Sequence, residues 1–280
     1  MIKNRDSLKA KVSNLSKKTG IPNQYIIYEY LFELFLRRLS KSSFRNQFIV
    51  KGGLLVSNIL GINLRSTMDL DITMKDSPLS LDNLKKIMED ITSMNDDNVT
   101  MKIENIKEIR LDDRYPGFCV NLKVYFDSLK ANLLIDVTTG DSITFSDIEY
   151  KYKSIFDDDY ILIRSYNIET ILAEKFETII SRNIDNTRMK DFYDLFMLVK
   201  TRWNEIDEKT LSMAIKNTSI TRGTNKLIEK SDEIINLLKD DPIMIKQWYN
   251  YSKNYIYAKD ISYDEIIETI KLVNNLLKSY

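Results

Sequence analysis

The sequence predicts an α+β protein, in which a mixed-sheet α/β domain is followed by an all-helical bundle. Alternating apolar and polar residues, typical of strands, recur between residues 47 and 164, whereas apolar residues after 167 follow the helical period. Seven glycines and four prolines in 280 residues leave few breaks, so the elements should be long. We expect residues 1–165 to form the first domain, including two N-terminal helices, and residues 166–280 the second.

The elements of the first domain follow from local patterns. The first helix should end at Gly20, with Pro22 opening the next. The predicted helices are 6–19, 23–41, 54–60 and 80–94. The predicted strands are 47–51, 68–74, 99–110, 118–127 and 130–139, with one or two more in 150–164. In the second domain we predict six helices, 167–184, 188–203, 207–218, 224–239, 241–257 and 262–278.

The composition excludes several classes of catalytic site. The chain has no histidine and a single cysteine, Cys119. Ser-His-Asp triads, Cys-His dyads and histidine-ligated metal sites are therefore impossible, and so are disulfides and cysteine-rich metal sites. A catalytic metal would have to bind carboxylate oxygens, which favours Mg²⁺ or Mn²⁺.

Charge and hydropathy indicate a cytoplasmic protein with no membrane partner. The first twelve residues carry scattered charges and no apolar h-region, and the most apolar stretch, 25–36, contains two glutamates. The 41 Lys and Arg balance 41 Asp and Glu, and residues 166–280 hold 17 against 18. Because neither half is basic, a nucleic-acid contact would have to come from a local patch.

Two aspartates in one alternating segment are the first candidates for chemistry. Within 68–74, Asp69 and Asp71 alternate with apolar residues, so both carboxylates should share one strand face. Like charges so close repel by roughly 1–4 kcal/mol at surface-like dielectrics, and a divalent cation would reverse that repulsion. A solvated strand face is the alternative interpretation.

Two further features extend this pattern. Asp136 is a lone carboxylate in the alternating segment 132–139, where a core tolerates a charge only with a partner. Upstream, the apolar segment 48–51 runs into Gly52 and Gly53 at an expected helix start, where free backbone N–H groups can bind a phosphate. Together they predict a phosphate-binding turn and three carboxylates on neighbouring strands.

The order of these motifs resembles the DNA polymerase β-like nucleotidyltransferase superfamily. Within it, the chain is similar to the AbiEii/AbiGii toxin nucleotidyltransferases of type IV toxin–antitoxin and abortive-infection systems. The similar segments are Gly52-Gly53, 65–71 and Asp136 in the first half, then 173–175 and 187–195 in the second. One departure is Leu54, since the group often has a hydroxyl residue after the second glycine.

The resemblance implies roles for individual residues. The implied metal ligands for Mg²⁺ or Mn²⁺ are Asp69, Asp71 and Asp136. The implied catalytic residues are these three with Lys175 and Asp191, and the implied nucleotide-binding residues are Gly52, Gly53, Arg65, Lys175, Arg182 and Arg188.

Ordinary ion pairs are the alternative for some of these residues. Arg188 and Asp191 are three residues apart, a spacing common in surface salt bridges. Arg65 could instead pair with Asp69 or Asp71.

The resemblance also implies a reaction and its partners. The nucleoside monophosphate of an NTP, either GTP or another, would pass to a hydroxyl with release of pyrophosphate. The implied acceptor is RNA, at the 3′ end of tRNA, and the outcome is arrested growth of a bacterial cell and aborted phage infection. An antitoxin encoded alongside need not bind the toxin, and a monomer is expected.

Three alternatives remain open from the residues alone. The nucleotide could be transferred to a small molecule such as an aminoglycoside, or to a protein hydroxyl. The chain could be a non-catalytic nucleotide-binding module with a vestigial metal site. It could also be a metal-dependent nuclease, for which the glycine turn is not required.

Overall fold

The protein is described from a computed structural model, which covers residues 2, 4–94, 98–109 and 117–279. The chain divides into two compact units. The first comprises residues 1–140 and 148–165, and the second comprises 141–147 and 166–280. Residues 141–147 thus belong to the second unit, although the sequence patterns placed them in the first domain.

A seven-stranded mixed sheet forms the centre of the first unit, which confirms the predicted α+β class. Its strands are β1 (Phe48–Lys51), β2 (Asp69–Met74), β3 (Thr100–Ile109), β4 (Gly117–Phe126), β5 (Leu129–Thr138), β6 (Ile148–Lys153) and β7 (Tyr160–Ser165). The strand order is β3-β4-β5-β2-β1-β7-β6. β2 runs parallel to β5 and β1 parallel to β7, while the other neighbours are antiparallel. Residue 110, the end of one predicted strand, lies outside the described residues.

Four helices accompany this sheet within the described part of the unit. They are α1 (Arg5–Thr19), α2 (Asn23–Lys41), α3 (Gly52–Leu60) and α4 (Leu81–Thr92). One side of each central strand is fully buried, as in Leu70 and Ile72 of β2 and Ile135 of β5. The residues between them point to the opposite face, which carries the candidate site.

The second unit is helical, as predicted. Its described helices are α5 (Ile168–Arg182), α6 (Met189–Arg202), α7 (Glu208–Arg222), α8 (Asn225–Ile228), α9 (Ser231–Asp240), α10 (Pro242–Asn254) and α11 (Tyr263–Ser279). The single helix predicted over 224–239 is wrong, because the chain breaks into α8 and α9. The buried side chain of Ser231, at the start of α9, donates to Asn274 Oδ1 at 2.5 Å, a tertiary contact that local patterns do not reveal.

The helices of the described residues include none with the length and apolar character needed to span a membrane.

Candidate active site

Ionisable residues lie side by side across four neighbouring strands of the first unit. Asp71 of β2 is in register with Asp136 of β5. On one side Lys51 of β1 is in register with Asp71, and on the other Cys119 of β4 is in register with Asp136. Registered residues of paired strands project from the same face, so these four side chains form one row. Asp69 precedes Asp71 by two residues and shares that face.

The turn at Gly52 is fitted to the Asp71 carboxylate. Gly52 has φ +67°, a left-handed conformation that residues with a side chain rarely adopt. A Cβ atom placed there would lie 2.0 Å from Asp71 Oδ2. The absence of a side chain therefore lets the backbone at the start of α3 approach the carboxylate directly.

The next glycine is in close contact with a second pair of polar side chains. A Cβ atom at Gly53 would lie 2.9 Å from Thr67 Oγ1 and 3.1 Å from Arg65 Nη2. Arg65 and Thr67 are both buried, and Arg65 donates to the carbonyl of Ser66. The structure thus brings Arg65 to the glycine turn, whereas its role in binding a nucleotide stays a prediction.

Lys51 is a candidate residue that the sequence analysis missed. It is only 4% exposed, and its Nζ donates to Thr138 Oγ1 at 2.9 Å. A buried ammonium in register with Asp71 supplies positive charge beside the aspartate pair. The only local signal was a lysine ending an apolar strand, and the partner strand that makes it significant is distant in sequence.

The pKa of the Cys119 thiol is affected by two of the three aspartates. Burial raises the pKa of its thiol to about 12, and a hydrogen bond to Asp136 together with the charges of Asp136 and Asp69 adds to this rise. Asp69 and Asp136 therefore lie in the same electrostatic neighbourhood. Cys119 is half-buried rather than a core residue.

The donor chemistry of the three aspartates fits a hard divalent cation. They supply carboxylate oxygens from one sheet face, the ligands that Mg²⁺ and Mn²⁺ prefer. In the side-chain positions of the described residues, however, no group of three or more carboxylates or thiols converges closely enough to hold an ion. The backbone register thus brings the aspartates together, while a three-ligand site would need their side chains to turn.

A buried carboxylate network lies within the same unit. Glu29 of α2 accepts hydrogen bonds from Tyr152 Oη at 3.1 Å and from Ser57 Oγ at 3.4 Å. The single proton of the Ser57 hydroxyl is shared with the carbonyl oxygen of Arg65, which lies nearer at 2.7 Å. Burial raises the pKa of Glu29 to about 8, although these hydrogen bonds and the charge of Arg65 oppose that rise. The segment that carries Arg65 is thus tied to α2 through Ser57.

The predicted residues of the second unit form their own cluster. Lys175 Nζ lies 2.6 Å from Asp191 Oδ1 and 3.1 Å from Asp194 Oδ2. Arg188 Nε lies 2.6 Å from Asp191 Oδ2. The Asp191 side chain is 1% exposed, so the pair with Arg188 is not the surface salt bridge considered as the alternative.

Charge pairing decides the ionisation of Asp191. Burial alone would raise its pKa, but the charges of Lys175 and Arg188 hold the pKa below the ordinary value. Asp191 therefore stays ionised inside this cluster. Asp194 is a further buried partner of Lys175 to which the sequence analysis gave no role.

Arg182 takes no part in the ion pairs that join Lys175, Arg188 and Asp191. It is the last residue of α5 and is exposed. Like those three residues it belongs to the second unit, whereas the aspartates of the sheet and the glycine turn belong to the first. The predicted site residues therefore fall into two groups, one in each unit.

The aromatic stretch 246–257 packs largely upon itself. Trp248 is buried, and the rings of Tyr251 and Tyr255 lie 4.6 Å apart between centroids. Tyr257 lies 4.8 Å from the buried Tyr193 of α6. These contacts favour a packing role for the stretch.

Comparisons with known proteins point to one family. The family model described as the nucleotidyl transferase AbiEii toxin of type IV toxin–antitoxin systems matches residues 34–269. A search of curated proteins found no match.

Two solved structures show the same fold at low sequence identity. One is MenT4, a nucleotidyltransferase toxin from Mycobacterium tuberculosis, which is 16% identical with a TM-score of 0.55 over 96% of this chain and 98% of that chain. The other is a candidate nucleotidyltransferase from H. pylori, which is 15% identical with a TM-score of 0.51 over 92% and 98%.

Proposed function

Since the chain belongs to the AbiEii family of nucleotidyltransferase toxins of type IV toxin–antitoxin systems, we propose that it transfers a nucleoside monophosphate from an NTP to the 3′-terminal hydroxyl of an RNA, in the presence of Mg²⁺. The observation that carries this proposal is the register of Asp71 with Asp136 beside the turn at Gly52. That arrangement places carboxylates next to a glycine turn whose backbone N–H groups have no side chain of their own beside them.

The proposed chemistry balances as a substitution at phosphorus. The acceptor hydroxyl oxygen forms a bond to the α-phosphorus, the bond from that phosphorus to the bridging oxygen breaks, and pyrophosphate leaves. The hydroxyl proton passes to a carboxylate or to solvent. Asp69, Asp71 and Asp136 would hold a divalent cation, which would neutralise charge on the pyrophosphate and lower the pKa of the hydroxyl.

The chain's own residues have distinct parts in this proposal. The backbone at Gly52 and Gly53 receives a phosphate group, because helix-start N–H groups favour anions and neither glycine has a side chain of its own. Lys51 limits the repulsion between the aspartates before a cation binds. In the second unit, we assign nucleotide binding to Lys175 and Arg188, held in place by Asp191.

Family membership supports the biological context. The proposed acceptor is the 3′ end of tRNA, whose modification would block translation and arrest growth. In a bacterial cell this arrest would abort phage infection, and an antitoxin would restrain the toxin. A cytoplasmic monomer that accepts GTP or another NTP completes the proposal.

A labelling experiment tests the reaction. The protein is incubated with each of the four α-³²P-labelled NTPs, Mg²⁺ and total cellular RNA and protein, and the labelled product is identified on a denaturing gel. We expect label on tRNA with at least one NTP. Label confined to protein or to a small molecule, or RNA fragments without added label, would contradict the proposal.

Matched variants link the label to the site. Asp69→Asn removes one carboxylate charge from an exposed position and should abolish labelling while circular dichroism stays unchanged. Asp82→Asn makes the same change at an exposed position in the first turn of α4 and should label as the wild type does. Equal labelling by both variants would refute the role of Asp69.

A further inference from the structure

The open face of β3, β4 and β5 carries a cluster of lysines. Along each strand, alternate residues leave the buried core and project from the face that carries Asp136. Among the described residues their neighbours there are mostly polar, the exposed Leu134 and the half-buried Ile109 being exceptions, and none of the lysines is buried. The four lysines on that face are Lys102, Lys107, Lys123 and Lys130.

Negative charge is scarce on this surface beyond the aspartates. Glu104, in the bulge of β3, points to the same face. Its carboxylate accepts hydrogen bonds from Lys123 Nζ at 2.6 Å and from Asn121 Nδ2 at 3.1 Å. Glu108 is in register with the buried Phe118 and belongs to the opposite face. Within the described parts of these strands, four lysines against two carboxylates, Glu104 and Asp136, leave the face with a net positive charge, although the whole chain has none.

The lysine face is continuous with the candidate active site. Lys107 of β3 is in register with Cys119, which is in register with Asp136. Lys130 lies six residues before Asp136 on β5, so the face extends for about 20 Å from the aspartates. Tyr125 is half-exposed near the far end, in register with Lys130.

We propose that this face binds the single-stranded end of the acceptor RNA and leads its terminal hydroxyl to the aspartates; this rests on the proposed function. Lysines contact the phosphates, and the ring of Tyr125 stacks on a base. A sheet face with cations and an accessible aromatic ring is a common platform for single strands, because a flexible strand can spread its bases upon it. The surface is thus the local basic patch that a neutral chain would need.

A binding experiment without NTP tests the surface separately from catalysis. A fluorescent single-stranded RNA of about a dozen nucleotides is titrated with protein, and anisotropy is followed at several salt concentrations. We expect Lys102→Ala/Lys107→Ala to weaken binding about tenfold and to reduce the salt slope by about 1.4, or about 0.7 for each lost phosphate contact. Tyr125→Ala should weaken binding about tenfold, while Tyr125→Phe should bind as the wild type does.

The control removes the same charge elsewhere on the same unit. Lys85 and Lys86 are exposed on α4, and Lys85→Ala/Lys86→Ala should leave affinity and salt slope unchanged. Equal losses in both double variants, no loss in either, or tighter binding of a duplex RNA would overturn the inference.

The labelling experiment separates failure of this surface from failure of the function. If the wild type labels no RNA, the proposed function fails. If it labels RNA and Lys102→Ala/Lys107→Ala does so with the same KM for RNA, only the assignment of the surface fails.

Discussion

Replacing Gly52 by alanine tests the fit between the glycine turn and the Asp71 carboxylate. The left-handed conformation costs an alanine about 1–2 kcal/mol. The added Cβ would also lie 2.0 Å from Asp71 Oδ2, whereas Cβ contacts below 3.0 Å are essentially never seen, so the carboxylate must move by about 1 Å. Turning that side chain off its rotamer adds about 1 kcal/mol, and β2 must also shift because the added Cβ would lie 2.7 Å from Asp71 Cβ. Gly52→Ala should therefore lower the free energy of unfolding by at least about 2–3 kcal/mol.

The effect on transfer should exceed the effect on stability. A displacement of about 1 Å at a reacting centre can cost about 100-fold in rate. Gly223→Ala is the matched control, because Gly223 has φ +71° with nothing within 4 Å of its Cβ position. Gly223→Ala should lower the free energy of unfolding by about 1–2 kcal/mol and leave the rate of transfer unchanged. Urea unfolding and the initial rate of label transfer measure both quantities, and equal rates for the two variants would refute the fit.

Three further changes test buried charges, each by urea unfolding. Lys51→Met should lower the free energy of unfolding by about 1–3 kcal/mol, because the aspartate pair loses its buried cation; an unchanged value would contradict this. Lys175→Met should lower the free energy of unfolding by about 3 kcal/mol and weaken NTP binding, because Asp191 loses a buried partner. The control Lys209→Met, at an exposed position, should lower the free energy of unfolding by under about 0.5 kcal/mol. Equal losses of stability in the two variants would count against the cluster. In the folded protein Glu29 keeps a proton that the unfolded chain loses above the ordinary pKa of 4.5, so the free energy of unfolding should fall between about pH 5 and pH 8. Glu29→Gln should flatten this dependence of stability on pH. An equal pH dependence in both proteins would exclude the raised pKa of Glu29.

Local sequence patterns predicted most of the elements because each strand and helix has its own period. The alternation of 68–74 placed Asp69 and Asp71 on one strand face, and the structure has that alternation in β2. The pairing of β2 with β5 lies beyond such patterns, because strands that meet in a sheet are distant in sequence. The importance of Lys51 depends on its own strand's pairing with β2 and was missed for the same reason.

Burial was the other property that spacing could not supply. The interval between Arg188 and Asp191 suits an exposed ion pair as well as a buried one, and only the contact with Lys175 from α5 distinguishes them. No glycine or proline at the break between α8 and α9 indicates in the sequence that the helix ends there. Ser231, which follows the break, makes a buried contact with Asn274, and that contact exists only in the folded bundle.

Binding of Mn²⁺ tests the central claim most directly, because it needs neither an acceptor nor turnover. Electron paramagnetic resonance counts the Mn²⁺ held by the protein with a non-hydrolysable NTP analogue. We expect the wild type to bind Mn²⁺ under these conditions, and the Asp71→Asn and Asp136→Asn variants each to lose most of that binding. Undiminished Mn²⁺ binding in both variants would contradict a metal site built on these two strands.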